Sequence, residues 1–159
     1  MAKETIQVVL PMKTYDTSKM DTWTQKQWQE FVGEEKDHTG IQLLLINDNN
    51  LYLKIMAIYF NETSEEMFFS FDVQNKLDRP IQLQFNEWTI DGIIYNLSHE
   101  KPQYLERFSE ITGFQKCVKR TYLEEWNKTT IHINILDAET ATLIRSLEFQ
   151  INKQITQVF

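Results

Sequence analysis

The chain holds a single cysteine, Cys117, so it can close no disulfide within itself. Only four of its 159 residues are glycine, and none falls in a GxGxxG, Walker A or GxSxG pattern. A phosphate-cradling loop or a nucleophile elbow is therefore excluded as far as motifs can exclude it. Three prolines and the lack of any Pro-, Gly- or Ser-rich stretch leave no linker, and 1–159 reads as a single domain. The longest apolar runs, Leu43–Ile46 and Ile55–Phe60, fall far short of the ~20 residues of a membrane span. Basic residues are outnumbered, 16 against 23, giving a net charge of -7. That balance argues against direct nucleic-acid binding, which needs a basic face. Met1-Ala2-Lys3-Glu4 carries no apolar leader stretch, so the expected compartment is cytoplasmic, with a mature extracytoplasmic domain lacking its leader as the alternative.

What the chain does have is alternation. Met67, Phe69, Phe71 and Val73 interleave with Ser70, Asp72 and Gln74, the pattern of a half-buried antiparallel strand. Ile6, Val8 and Leu10 alternate before Pro11. Ile41, Leu43 and Leu45 alternate up to a turn at Asn47–Asn50. The run from Leu51 to Phe60 is apolar at both parities, which predicts a strand covered on both faces, as by a helix outside the sheet. Ile81, Leu83 and Phe85 share a parity that shifts at Trp88 and Ile90, predicting a bulge near Asn86-Glu87. Asp91-Gly92 between apolar runs predicts a two-residue hairpin turn with positive φ at both positions. A strand with mixed faces follows from Phe114 to Leu123. Ile131, Ile133 and Ile135 alternate, as do Leu147, Phe149 and Ile151. The tail from Asn152 to Phe159 is left as an edge strand or frayed end.

Two segments carry helical spacing. Asp21 to Glu35 places Trp28, Phe31 and Val32 on one stripe with Trp23 at its edge, and Asp21 or Thr22 is the expected cap. Ser98 to Thr112 places Pro102 in a first turn, Tyr104, Phe108 and Ile111 at i, i+4, i+7, and Gly113 as a left-handed stop. Eight or nine strands with two short helices predict a mainly β, antiparallel sandwich, a barrel being the alternative closure.

Phe69-Ser70-Phe71-Asp72-Val73-Gln74-Asn75, followed by the polar turn Lys76–Pro80 and Ile81, resembles a pattern in immunoglobulin-like domains of Gram-positive bacteria. There a strand ends in Val-x-Asn, turns, and restarts on an aliphatic residue. Trp88–Gly92 resembles the next hairpin of that group, and Ile131 to Ile151 its last one. The resemblance covers about 40–152 and implies an immunoglobulin-like β-sandwich, with 1–39 as an N-terminal strand and helix. It implies no active site.

Candidate chemistry is sparse. His38, His99 and His132 form no zinc spacing with one another or with Cys117. Asp48-Asn49-Asn50 lacks the downstream glutamate of a calcium loop and reads as a turn. Glu34-Glu35, Glu65-Glu66 and Glu124-Glu125 are adjacent in sequence, so their side chains diverge and make no acid/base pair. Asn61, Asn96 and Asn127 open glycosylation triplets, which matter only outside the cytoplasm. Lys116, Lys119 and Arg120 read as a solvated strand. The expectation is a non-catalytic protein without cofactor that binds another protein. The alternative is an acidic bacterial or phage inhibitor or immunity protein that blocks a basic nuclease or other nucleic-acid-binding enzyme. Strand edges left open would instead give a homo-oligomer. Trp23, Tyr95 and Trp126, with Glu124 and Glu125 beside them, are the candidate binding residues.

Overall fold

The computed structural model describes residues 3–36, 42–61, 63–119 and 127–159. Ten strands among them form two sheets: β1 Lys3–Tyr15, β2 Leu43–Asn47, β3 Leu51–Asn61, β4 Glu66–Asn75, β5 Ile81–Ile90, β6 Ile93–Asn96, β7 Gln103–Leu105, β8 Glu110–Lys119, β9 Lys128–Asp137 and β10 Leu143–Val158. The first sheet runs β1-β10-β9-β5-β6, with β7 also on β5, and the second runs β2-β3-β4-β8. All neighbours are antiparallel except β1 and β10, which run side by side in parallel from Lys3↔Ser146 to Tyr15↔Val158.

The inward parities of both sheets meet in one core. Leu53, Ile55, Phe69 and Phe71 from the second sheet face Leu83, Trp88, Ile133 and Phe149 from the first, all essentially inaccessible. Phe69 and Trp88 rings lie 4.5 Å apart across the gap, and Phe71 and Phe85 5.4 Å apart. The indole of Trp88 donates to Thr129 Oγ1 (2.9 Å), and that hydroxyl donates to the Thr89 carbonyl (2.7 Å). This is how a buried polar group escapes an unmade bond.

The local predictions hold where one strand's own pattern decides them. The register shifts between Phe85 and Trp88, the expected bulge. Asp91 and Gly92 have φ of 48° and 86°, and Ile90 pairs with Ile93. Asp91 also accepts the amides of Asn127 (2.9 Å) and Lys128 (3.0 Å), fastening the hairpin to the start of β9.

Four expectations are corrected. No helix spans 98–112: β7, a turn and the start of β8 lie there, and Gly113 (φ 71°) is a bulge residue whose amide donates to Asp72 Oδ1 (2.9 Å). Strand β3 needs no covering helix. A bulge between Ile55 and Ala57 reverses its parity, so Leu51, Leu53 and Ile55 and then Ile58 all turn to the core. Strand β1 passes through Pro11, which it tolerates because it lies at the sheet edge and pairs on one side only, and the tail to Val158 pairs with it. The N-terminal helix, α1 Gln25–Lys36, is preceded by a 3-10 turn, Thr17–Thr22, and is capped by Thr24 rather than by Asp21 or Thr22. Thr24 Oγ1 accepts the Gln27 amide (3.2 Å) and Gln27 Oε1 accepts the Thr24 amide (2.8 Å), a reciprocal box.

One end of the sandwich is closed by Arg145 of β10. Its guanidinium donates to both carboxylate oxygens of Glu4 on β1 and to Asp48 Oδ2 in the β2–β3 turn, each at 2.8 Å. The first sheet is thereby tied to the second. The bond from Arg145 holds Glu4 below its ordinary 4.5. Burial pushes Asp48 up, but the amides of Asn50 and Leu51 and Arg145 outweigh it and leave Asp48 below its ordinary 3.8. Both carboxylates therefore stabilise the fold above their ordinary pKa values and cease to as pH falls through the lowered ones. Arg145→Ala is expected to lose about 1–2 kcal/mol at pH 7 in denaturant unfolding, since the acids are part-exposed. At about pH 2–3 its deficit against the parent should shrink; an unchanged deficit would show that the ion pairs contribute nothing.

Candidate functional site

Of the candidate residues from the sequence, the two described ones, Trp23 and Tyr95, lie apart. Trp23 is only 8% exposed. Its ring meets those of Trp28 (5.0 Å), Phe31 (5.3 Å) and Phe159 (5.3 Å), and Tyr15 touches the last two, so this cluster seats α1 on the far ends of β1 and β10. Tyr95 lies half-buried on β6 at the opposite edge of the sheet, opposite Trp88. Glu124, Glu125 and Trp126 lie outside the described residues, as do His38 and Arg120.

Two of the described reactive groups, Cys117 and His132, are held in structural contacts. Cys117 is half-buried on the outward side of β8, its thiol donating to Glu66 Oε2 (3.1 Å). Burial first, then Glu66, pushes the thiol up to about 11. His132 Nε2 bonds Ser146 Oγ at 2.8 Å, and His99 is exposed. No group of three or more His, Cys, Asp or Glu side chains among the described residues could hold a metal. A shallow notch of about 250 Å³ beside the Gly113 bulge is lined by Tyr52, Asp72, Gln74 and Glu110, and Asp72 is already engaged by the Gly113 amide. Lys116, expected as solvated, points between the sheets. It is 13% exposed, with its ammonium 5.1 Å from the centre of the Phe85 ring and 3.6 Å from Glu100.

What the topology does gather is three loops at one end of the sandwich: 76–80 between β4 and β5, 106–109 between β7 and β8, and 138–142 between β9 and β10. Ala138 N–H donates to Pro80 O (3.1 Å) and Arg79 pairs with Asp137 (3.6 Å), joining the first loop to the third. Asn75, fully buried at the end of β4, joins the first to the second. Its side-chain amide donates to Arg79 O (2.8 Å) and Glu106 O (3.0 Å), its Oδ1 accepts from Leu77 N–H (3.0 Å), and its backbone N–H donates to Ser109 O (2.8 Å). The sequence signal for it was the Val-x-Asn ending of β4.

On this frame stand two exposed aromatics, Tyr104 (43%) and Phe108 (63%). Sequence reasoning placed both on the buried stripe of a helix. Around Tyr104 the charge is negative: burial, a bond to Glu106 and the carboxylates of Glu106 and Glu139 hold its phenol above its ordinary value. Asp78 and Arg107 pair at 3.4 Å beside them. The arrangement offers apolar area, a phenol and carboxylates on a fixed frame.

No family model matches the chain, and no curated protein does.

Two outcomes check this description. Asn75→Asp puts an acceptor where two carbonyls expect donors and should cost about 2–4 kcal/mol in denaturant unfolding; a loss below about 1 kcal/mol would remove Asn75 as the frame's fastening. Cys117 should alkylate with iodoacetamide at pH 8 far more slowly than a free thiol, and Glu66→Gln should speed it severalfold; a parent rate equal to that of free cysteine would contradict the raised thiol.

Proposed function

We propose that this is a non-catalytic β-sandwich protein that binds another protein through the three-loop end. The observation that carries the choice of loops is the state of the sheet edges. β1 is long but carries Pro11 and is flanked by Lys3 and Lys13. β2 is five residues with a register shift, and β6 and β7 are four and three residues. β8 bears the Gly113 bulge and the inward Lys116. Proline, bulges, short strands and inward charge are the devices that stop edge-to-edge pairing. They speak against recognition by strand addition and against a homo-oligomer joined at sheet edges, and leave the loops as the surface for a partner.

The immunoglobulin-like reading is supported by strand order. β10-β9-β5-β6 and the pair β4-β8 follow the G-F-C-C′ and B-E neighbours of an immunoglobulin variable domain, and Trp88 on β5 occupies the place of the buried tryptophan on strand C.

The second reading, an acidic inhibitor of a nuclease or other nucleic-acid-binding enzyme, is favoured by Glu106 and Glu139 beside Tyr104. Elsewhere acids and bases alternate in pairs such as Lys3–Glu148 (3.2 Å) and Lys13–Glu30 (3.2 Å), which makes a mixed surface rather than a single acidic face.

Affinity capture with the tagged chain from source-cell extract, at about 0.05 M and 0.5 M salt, separates the two. A stoichiometric protein held at both salts, and weakened about tenfold by Tyr104→Ala but not by Val9→Lys on the β1 surface, is the expected result. Loss at the higher salt alone would favour the inhibitor, and no partner at either salt would overturn both.

A further inference from the structure

Phe108 is the one exposed large aromatic in a left-handed backbone among the described residues. Its φ is 53° and its ring is 63% exposed. It is the third residue of a turn closed by Ser109 N–H to Glu106 O (3.2 Å), the position where glycine or asparagine is usual. A bulky side chain there is strained. Such strain persists only where surroundings hold it, and here they do. Phe108 N–H donates to Leu77 O (3.2 Å), and Asn75 grips the turn on both sides, at Glu106 O and Ser109 O. Ser109 Oγ adds a further bond to Glu106 O (2.7 Å). The chain thus spends an unfavourable conformation to present a phenyl ring to water, where burial gives it no return. A backbone fixed in advance has little freedom to lose when the ring it carries is captured, which lowers the cost of binding.

Resting on the reading of the chain as a protein binder, we propose that Phe108 is the anchor of that contact, inserting into an apolar pocket of the partner whose rim carries Lys or Arg. The rim's charge follows from the loops at this end: Glu106 opens the turn that carries Phe108, Glu139 stands in the neighbouring 138–142 loop, and Asp78 is already matched by Arg107. Ile94, 62% exposed on β6 opposite Thr89, is equally apolar but sits on an unstrained strand away from these acids. It is the control.

The test has two arms. In thermal unfolding, Phe108→Gly should raise Tm by about 2–4 °C, because glycine adopts positive φ freely, while Phe108→Ala, which keeps the strained backbone, should leave Tm nearly unchanged. A Tm lowered by Phe108→Gly would make the ring a structural element and overturn the proposal. In the second arm the photoreactive analogue p-benzoylphenylalanine replaces Phe108, or Ile94, in the full chain, and source-cell extract is irradiated at low salt. The expected result is an adduct from position 108 alone, on a partner segment that joins apolar residues to Lys or Arg. Its yield should fall about three- to tenfold on Glu106→Gln with Glu139→Gln, and less so at high salt. An adduct from 94 but not 108, capture without any adduct, or an adduct on an acidic segment would each overturn the anchor while leaving the protein-binding reading in place. Absence of any capture would overturn both.

Discussion

The three-loop end of the sandwich depends on one buried amide. Asn75 is the last residue of a strand whose neighbours on the same parity are Phe71 and Val73, so geometry carries it into the core, where a polar side chain costs free energy unless every group is matched. It is matched by carbonyls and an amide from two different loops. Those loops have little apolar material of their own, so the requirement that Asn75 be satisfied supplies the order that packing does not. The exposure of Phe108 follows from this: the ring does not hold its loop, and is therefore free to hold something else.

Features that rest on one strand and its turn were legible in the sequence. Asp91-Gly92 admits almost no other reading, and the parity break before Trp88 announces its bulge. Features that rest on which face meets which were not. The two-faced apolar run of β3 is equally a covered strand or a strand with a bulge at Met56, and only its pairing with Phe71 and Ser70 decides. The segment 98–112 misleads more instructively. Tyr104, Phe108 and Ile111 are spaced as a helical stripe because two of them are surface groups whose spacing reflects loop geometry. Periodicity counts apolar residues on the assumption that they are buried, and exposed aromatics break that assumption. The candidate site was therefore hidden by the very residues that make it. Trp23 shows the reverse: named from the sequence as a candidate binding residue at the edge of the helical stripe, it lies within a second small core.

Charge is arranged for specificity as much as for solubility. Lys116 is drawn inward at an edge strand, where its ammonium rests over Phe85 and near Glu100, and a partner strand added to β8 would have to accommodate it. Arg145 locks one end of the sandwich with two carboxylates taken from different sheets. Once these cations are committed, a net negative surface remains, interrupted by exposed aromatic and aliphatic groups at a few places.

The parallel pairing of β1 with β10 has a kinetic consequence. Lys3 finds its register partner at Ser146, so β1 waits unpaired until β10 has been made. Non-local pairing of this kind slows folding and lengthens the time an unpaired strand is exposed. β1 is suited to that wait: Thr5 and Gln7 make its outward parity polar, and Pro11 interrupts any run that a neighbouring nascent chain could zip onto. The local hairpins, β3–β4 and β5–β6, need no such wait, since their strands are neighbours in sequence.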